Sequence, residues 1–248
     1  MATPSKDSAD GPRLSNLRSI TSTATSGPGA APKSLDPPGA GFFSLPKKVR
    51  DDVYGRVLAL RHPVDLFRDP GGPVEAFIPE RPRQLIAPLL VNRQMSKEAG
   101  AILYYTNTFV TDELQRQGVL LEAFLSIIGP TNCGSLSHLT MNFPAIVDSP
   151  EGYKLRDDGA YALTLVRTHC TNLEVLEFLH SSTRSIALDG TLSANPENAA
   201  DALSSLDVLV NALDSPSRII IRVCGETPRP QYISAMQGFG WLVYFGRN

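Results

Sequence analysis

The chain has 248 residues, 42% of them apolar, and its 23 Lys+Arg nearly balance 25 Asp+Glu for a formal net charge of -2. That length suits one domain of ordinary size plus a tail, and the even charge excludes the concentrated cationic field on which nucleic-acid binding depends. No apolar run reaches the roughly 18–20 residues that cross a bilayer, and the N-terminus lacks the charged start and apolar core of a secretory signal.

From Met1 to about Ala40 the chain is mostly Ser, Thr, Pro, Gly and Ala, with Leu14, Leu17, Ile20 and Leu35 as its sizeable apolar residues. Such a segment buries too little surface to offset the entropy of ordering it, so residues 1–40 are expected to be a disordered tail. A mitochondrial presequence is the rival reading, because Arg13 and Arg18 sit among serines. Asp7 and Asp10 oppose it, since such peptides avoid acids.

The ordered part is expected to begin at Phe42. Ser44 is placed to cap a helix with Pro46 in its first turn, ending near Leu60. Val49, Val53 and Val57 recur every four residues beside Leu58, which makes one apolar stripe, and such a stripe most often packs a helix against its domain core. Residues His62 to Pro82 hold five prolines and Gly71-Gly72. They read as a flexible loop with at most one short strand, Val74 to Ile78. A second helix, Pro88 to Tyr105, carries Leu89, Leu90, Met95, Ala99, Ile102 and Leu103 and is expected to pack against the first. On it, Arg93 and Glu98 form a candidate polar pair, more often solvated or structural than functional.

Beyond Phe109 two textures alternate. Helical spacing marks Val119 to Ile128, Leu155 to His169, Ala199 to Leu213 and Pro230 to Gln237. Short runs rich in branched residues mark strands at Thr108 to Thr111, Ser137 to Asn142, Leu173 to Leu179, Ser217 to Cys224 and Trp241 to Phe245. Strands separated by helices imply crossovers and a mainly parallel sheet, an α/β fold. Cys133-Gly-Ser-Leu136-Ser-His-Leu139-Thr-Met141 and Cys170-Thr-Asn-Leu173-Glu-Val-Leu176-Glu-Phe178 share a Cys-x-x-Leu-x-x-Leu-x-apolar pattern that resembles the strand part of a leucine-rich repeat. Arg218-Ile-Ile-Ile-Arg-Val223 keeps the strand and loses the leucine spacing. The expectation for residues 113–248 is therefore a set of irregular helix-strand units, packed with 41–112 as one domain.

Two segments taken together carry a family resemblance. Phe43-Ser-Leu45-Pro46-Lys-Lys-Val49-Arg50-Asp51-Asp52-Val53-Tyr54 is one, and Leu89-Leu90-Val91-Asn92-Arg93-Gln94-Met95 running on to Tyr104-Tyr105-Thr106-Asn107-Thr108-Phe109 is the other. The pair is similar to the filamentous-fungal F-box-like proteins, in which a leucine-proline helix precedes a Val-Asn-Arg-Gln helix and a Tyr-x-Asn-x-Phe strand. The match covers roughly residues 42–112. The resemblance implies an N-terminal helical F-box-like part in which Leu45, Pro46, Val49 and Val53 dock on the Skp1 subunit of a ubiquitin ligase. It also implies that the units after Val119 select an unidentified substrate protein. A scaffold or regulator with the same fold and no ligase link is the alternative.

Nothing in the pattern starts an enzyme reading. There is no Gly-x-Ser-x-Gly elbow, phosphate-binding Gly-Lys-Ser/Thr loop or dinucleotide fingerprint, so no cofactor is expected. His138, His169 and His180 lie near Cys133 and Cys170 in the repeat reading without metal-ligand spacing. Glu174 and Glu177, an odd separation apart on an expected strand, point to opposite faces rather than forming a carboxylate pair. The odd, irregularly spaced Cys133, Cys170 and Cys224, with no Asn-x-Ser/Thr acceptor, fit a reducing compartment, cytoplasm or nucleus. Thr3-Pro4, Ser149-Pro150, Ser215-Pro216 and Thr227-Pro228 are candidate kinase sites that also read as ordinary turns.

Overall fold

Side chains two apart on a strand share a face, and Leu139 with Met141, Leu176 with Phe178, and Ile221 with Val223 are all buried. These pairs define one face of a sheet and the centre of the core. The computed structural model describes residues 41–79, 82–113, 116–149, 152–181, 196–213, 215–225 and 227–246. The expected tail, 1–40, lies outside them.

In chain order the elements are α1 (Lys47–Leu58), β1 (Val64–Arg68), β2 (Val74–Phe77), α2 (Pro82–Val91), α3 (Arg93–Thr106), β3 (Thr108–Thr111), α4 (Gln117–Cys133) and β4 (His138–Asn142). They continue with β5 (Ile146–Ser149), β6 (Gly152–Leu155), α5 (Asp157–His169), β7 (Val175–Ser181), α6 (Pro196–Asn211), β8 (Arg218–Cys224), α7 (Pro230–Gly238) and β9 (Leu242–Gly246). The fold is α/β. Seven strands form one sheet in the order β2-β1-β3-β4-β7-β8-β9. Only β1 and β2 run antiparallel; every other neighbouring pair is parallel. β3 lies beside β1 rather than β2, and from β3 onward each strand of this sheet is laid beside its predecessor, while β5 and β6 make a separate hairpin.

One core cluster unites the face bearing Leu139, Leu176, Phe178 and Ile221 with helical residues such as Phe124 (α4), Val166 (α5), Leu206 (α6) and Met236 (α7). Val110 and Val175 point the other way and, although buried, stand outside that cluster. Helices α4 to α7 therefore pack on one face of the sheet. Parallel strands that advance in one direction with crossovers of one hand produce this one-sidedness.

Three expectations are corrected. The stretch from His62 to Pro82 is no loose loop: the short strand expected at Val74 is present as β2, but it pairs with an unexpected β1 in a hairpin, and β1 docks in parallel on β3. Alternation places Val64 and Leu66 in the core, a signal too short to stand out among five prolines. The single helix expected from Pro88 is two, because the Asn92 side-chain oxygen Oδ1 accepts from Met95 N at 2.8 Å and caps α3 at its own N-terminus. Ser44 does not cap α1; its hydroxyl donates to Gly41 O at 2.7 Å within a short turn, and Pro46 takes the cap position.

Helix α4 starts without a local cap. Its Gln117 and Gly118 amides donate to the Asp158 carboxylate at the start of α5, each at 3.1 Å. Close approach requires glycine at 118, since a Cβ there would lie 2.7 Å from Tyr161 Cδ1. At the other end Gly129, at φ 75°, breaks the helix after Ile128, where the apolar periodicity also stops. Replacing Asp158 by Ala is expected to cost about 1 kcal/mol through the lost cap, against about 2–5 kcal/mol for Leu139→Ala in the fully buried core. Urea midpoints at unchanged slope measure both.

Candidate functional site

The first helix meets the domain through an unexpected row. Arg50, Tyr54 and Leu58, spaced by four, are the buried residues of α1. Arg50 grips Glu98 of α3 with a two-pronged fork, Nε to Oε2 at 2.8 Å and Nη2 to Oε1 at 2.6 Å, and its Nη1 donates to Leu45 O at 2.6 Å. Planar guanidinium against carboxylate gives this pair direction as well as charge. Gln94 donates to the same carboxylate at 3.0 Å. Below the fork, Tyr54, Leu58 and Ala99 form a second small core with Phe42, Met95 and Ile102 around them. The candidate pairing of Arg93 with Glu98 is thus replaced by Arg50 with Glu98.

Asn107 closes the far end of the same contact. Its buried side chain accepts from Leu60 N at 2.7 Å and donates to Leu58 O at 2.9 Å and Leu103 O at 2.8 Å. One amide thereby satisfies the ends of α1 and α3 just before β3 begins. The Tyr-x-Asn-x-Phe spacing has its physical reason here: Asn107 joins the two helices, and Phe109, two residues on, enters the sheet core, stacked on Tyr104 at 5.2 Å.

Because Arg50, Tyr54 and Leu58 face inward, the adjacent apolar row faces out. Leu45 is 38% exposed, Val49 44%, Val53 37% and Val57 47%, and Pro46 is also exposed. The stripe expected to pack α1 on the core is therefore a surface stripe. Spacing of four fits both rows equally, so periodicity alone chose the more apolar one; the carboxylate of Glu98, distant in sequence, selects the other. Lys47–Asp51 at 2.6 Å and Arg56–Asp52 at 3.1 Å flank the stripe as exposed ion pairs.

The sheet face opposite the helices carries a polar network. Glu177, nearly fully buried, accepts from His138 Nε2 at 3.3 Å and from Arg222 Nε, linking β4, β7 and β8. Thr108 donates to His138 Nδ1 at 3.1 Å in the tautomer this arrangement requires. Burial works to raise the Glu177 pKa, but the hydrogen bonds from His138 and Arg222 outweigh it and leave the carboxyl below its ordinary value. Leu242 and Tyr244 of β9 extend the same face and are exposed. Glu174, by contrast, stands before β7 and accepts from Tyr105 at 3.0 Å, so the two glutamates serve separate places.

The other singled-out residues are structural in geometry. Cys133 and Cys170 are buried, and burial pushes the Cys170 thiol up to about 12, which keeps it protonated and unreactive. Ser215 donates to Cys170 O at 2.9 Å, whereas Thr227 is exposed; Thr3 lies outside the described residues. Among the described residues no three His, Cys, Asp or Glu side chains gather as a metal site, and no helix is long and apolar enough to cross a membrane.

Hydrogen bonds from Arg50 first, then Gln94, hold the Glu98 carboxyl at about 2, below its usual 4.5. A depressed folded pKa contributes stability that is present above 4.5 and lost as pH falls toward about 2. The urea midpoint of the wild type should therefore drop further across that window than that of Glu98→Gln, which has no proton to take up there; equal slopes against pH would refute it. The chain matches no family model, no curated protein and no solved structure.

Proposed function

We propose that this chain is a non-enzymatic protein–protein interaction module of the fungal F-box-like type, acting as a substrate receptor of a ubiquitin ligase. Leu45, Pro46, Val49 and Val53 dock on Skp1, and the helix-strand units from 113 to 248 receive the substrate protein. One observation carries this reading: the apolar row of α1 is turned to solvent, although a full set of internal contacts holds the helix in place through its other row. A half-exposed apolar row on a helix anchored by its other row is a surface on which a partner can dock.

The Arg50–Glu98 fork and the Asn107 bridge support the same reading, because they hold the stripe rigidly and spare a partner the cost of ordering it. The strand order, with each parallel strand of the sheet beside its predecessor, agrees with a leucine-rich-repeat-like platform. Its face opposite α4 to α7 presents Arg222, held by the buried Glu177, beside the exposed Leu242 and Tyr244, an array of charge and apolar surface suited to a protein substrate.

The test is recombinant Skp1 binding by the full chain and by a Val49→Asp, Val53→Asp double variant. Both valines are surface residues, so each substitution should change stability by no more than about 0.5 kcal/mol, while Skp1 capture is lost. A wild-type chain that does not bind Skp1 removes the ligase link and leaves a scaffold of the same fold, whereas a folded variant that binds it undiminished overturns the α1 stripe as the docking surface.

A further inference from the structure

A second surface is independent of the α1 stripe. Helix α2 ends at Val91, Asn92 turns the chain into α3, and α4 breaks at Gly129. Between this corner and the break lies a groove of about 720 Å³ with Leu89, Leu90, Ile128 and Pro130 as its apolar lining. Leu90 is 68% exposed and the neighbouring Val91 63%, so apolar surface continues past the lip. No chain segment among the described residues fills it.

Charge gives the groove its direction. Arg93 and Lys97, four apart on α3, line one side, and no carboxylate is among the lining residues. Neither cation has an ion-pair or hydrogen-bond partner among the described residues. Nearby acids are engaged elsewhere: Glu98 is held by Arg50 and Gln94. The groove also opens at the N-terminal end of α3, whose dipole adds to the positive potential. Two cations one helical turn apart, about 6 Å along the axis, match two carboxylates with the same spacing on a facing helix.

We propose that this groove binds a short acidic amphipathic helix of another protein, with its apolar side chains on Leu89, Leu90 and Ile128 and a pair of carboxylates on Arg93 and Lys97. An apolar floor with a rim of one charge is the arrangement by which grooves take amphipathic helices, and the rim charges select acidic over basic ligands.

The experiment uses fluorescence anisotropy of the full chain with a short labelled synthetic peptide, helical, with leucines along one face and glutamates on the other. The control is the same peptide with lysine at every glutamate. The expected result is saturable binding of the acidic peptide only. The Arg93→Glu, Lys97→Glu double variant should weaken it by about tenfold or more, and Leu90→Asp should weaken it as well. The Val49→Asp, Val53→Asp variant keeps full affinity, which separates this groove from the α1 surface. The charge reversals fall on exposed side chains, so their folding, checked by circular dichroism, is preserved even where Leu90→Asp is not tolerated. The proposal is overturned by absence of binding up to ~1 mM peptide, by equal binding of the lysine peptide, or by affinity that survives the double charge reversal.

Discussion

Arg50 and Glu98 meet through two hydrogen bonds of 2.8 and 2.6 Å, with both side chains largely shielded from water. A shielded ion pair is costly to leave half-made, because either charge alone would lose hydration without compensation. Once Glu98 stands on α3, α1 has only one azimuth that brings Arg50 to it. That azimuth places Tyr54 and Leu58 in the small helical core and, by the geometry of a 3.6-residue turn, sends Val49, Val53 and Val57 outward. The fork, together with the burial of Tyr54 and Leu58, thus decides which face of α1 is turned to solvent.

The helical part and the sheet are coupled through the residues that follow α3. Asn107 ties the ends of α1 and α3 together, and two residues later Phe109 is in the main core, beside Tyr104 and Phe124. The β1–β2 hairpin then closes the edge of the sheet beside β3. A surface on α1 is consequently held at a fixed place relative to the strands, with no long linker between them. This fixed relation follows from one buried amide and a parallel strand pairing.

The one-sided sheet creates the remaining surfaces. Helices on a single face bury Leu139, Leu176, Phe178 and Ile221 in one cluster, while the reverse face must satisfy its polar residues within itself. Glu177 does so by linking His138 and Arg222 across three strands. Where helices turn or break, at Asn92 and Gly129, the layer leaves the groove lined by Arg93 and Lys97. Both the network and the groove arise from topology rather than from any local motif.

Much of the architecture was legible from spacing. Runs such as Thr108–Thr111 and Arg218–Cys224 are strands, Asp157–His169 and Pro230–Gly238 are helices, and their alternation implied a mainly parallel sheet. These signals are local: branched residues, helical period, and glycine or proline at the ends act within a few residues. The strand at Val74 is legible, but its partner β1 is hidden because prolines outweigh a two-residue apolar alternation, and the β5–β6 hairpin because it is four residues a side. The candidate docking residues were named from sequence, yet their exposure was not readable there. Two rows of α1 share the same four-residue spacing, and apolarity favoured burying the valines. The choice between the rows depends on Glu98, which lies 48 residues from Arg50. Local composition therefore determined where helices and strands form, and only the tertiary structure decided which face of α1 is free, because that face is set by an electrostatic partner brought near by the fold.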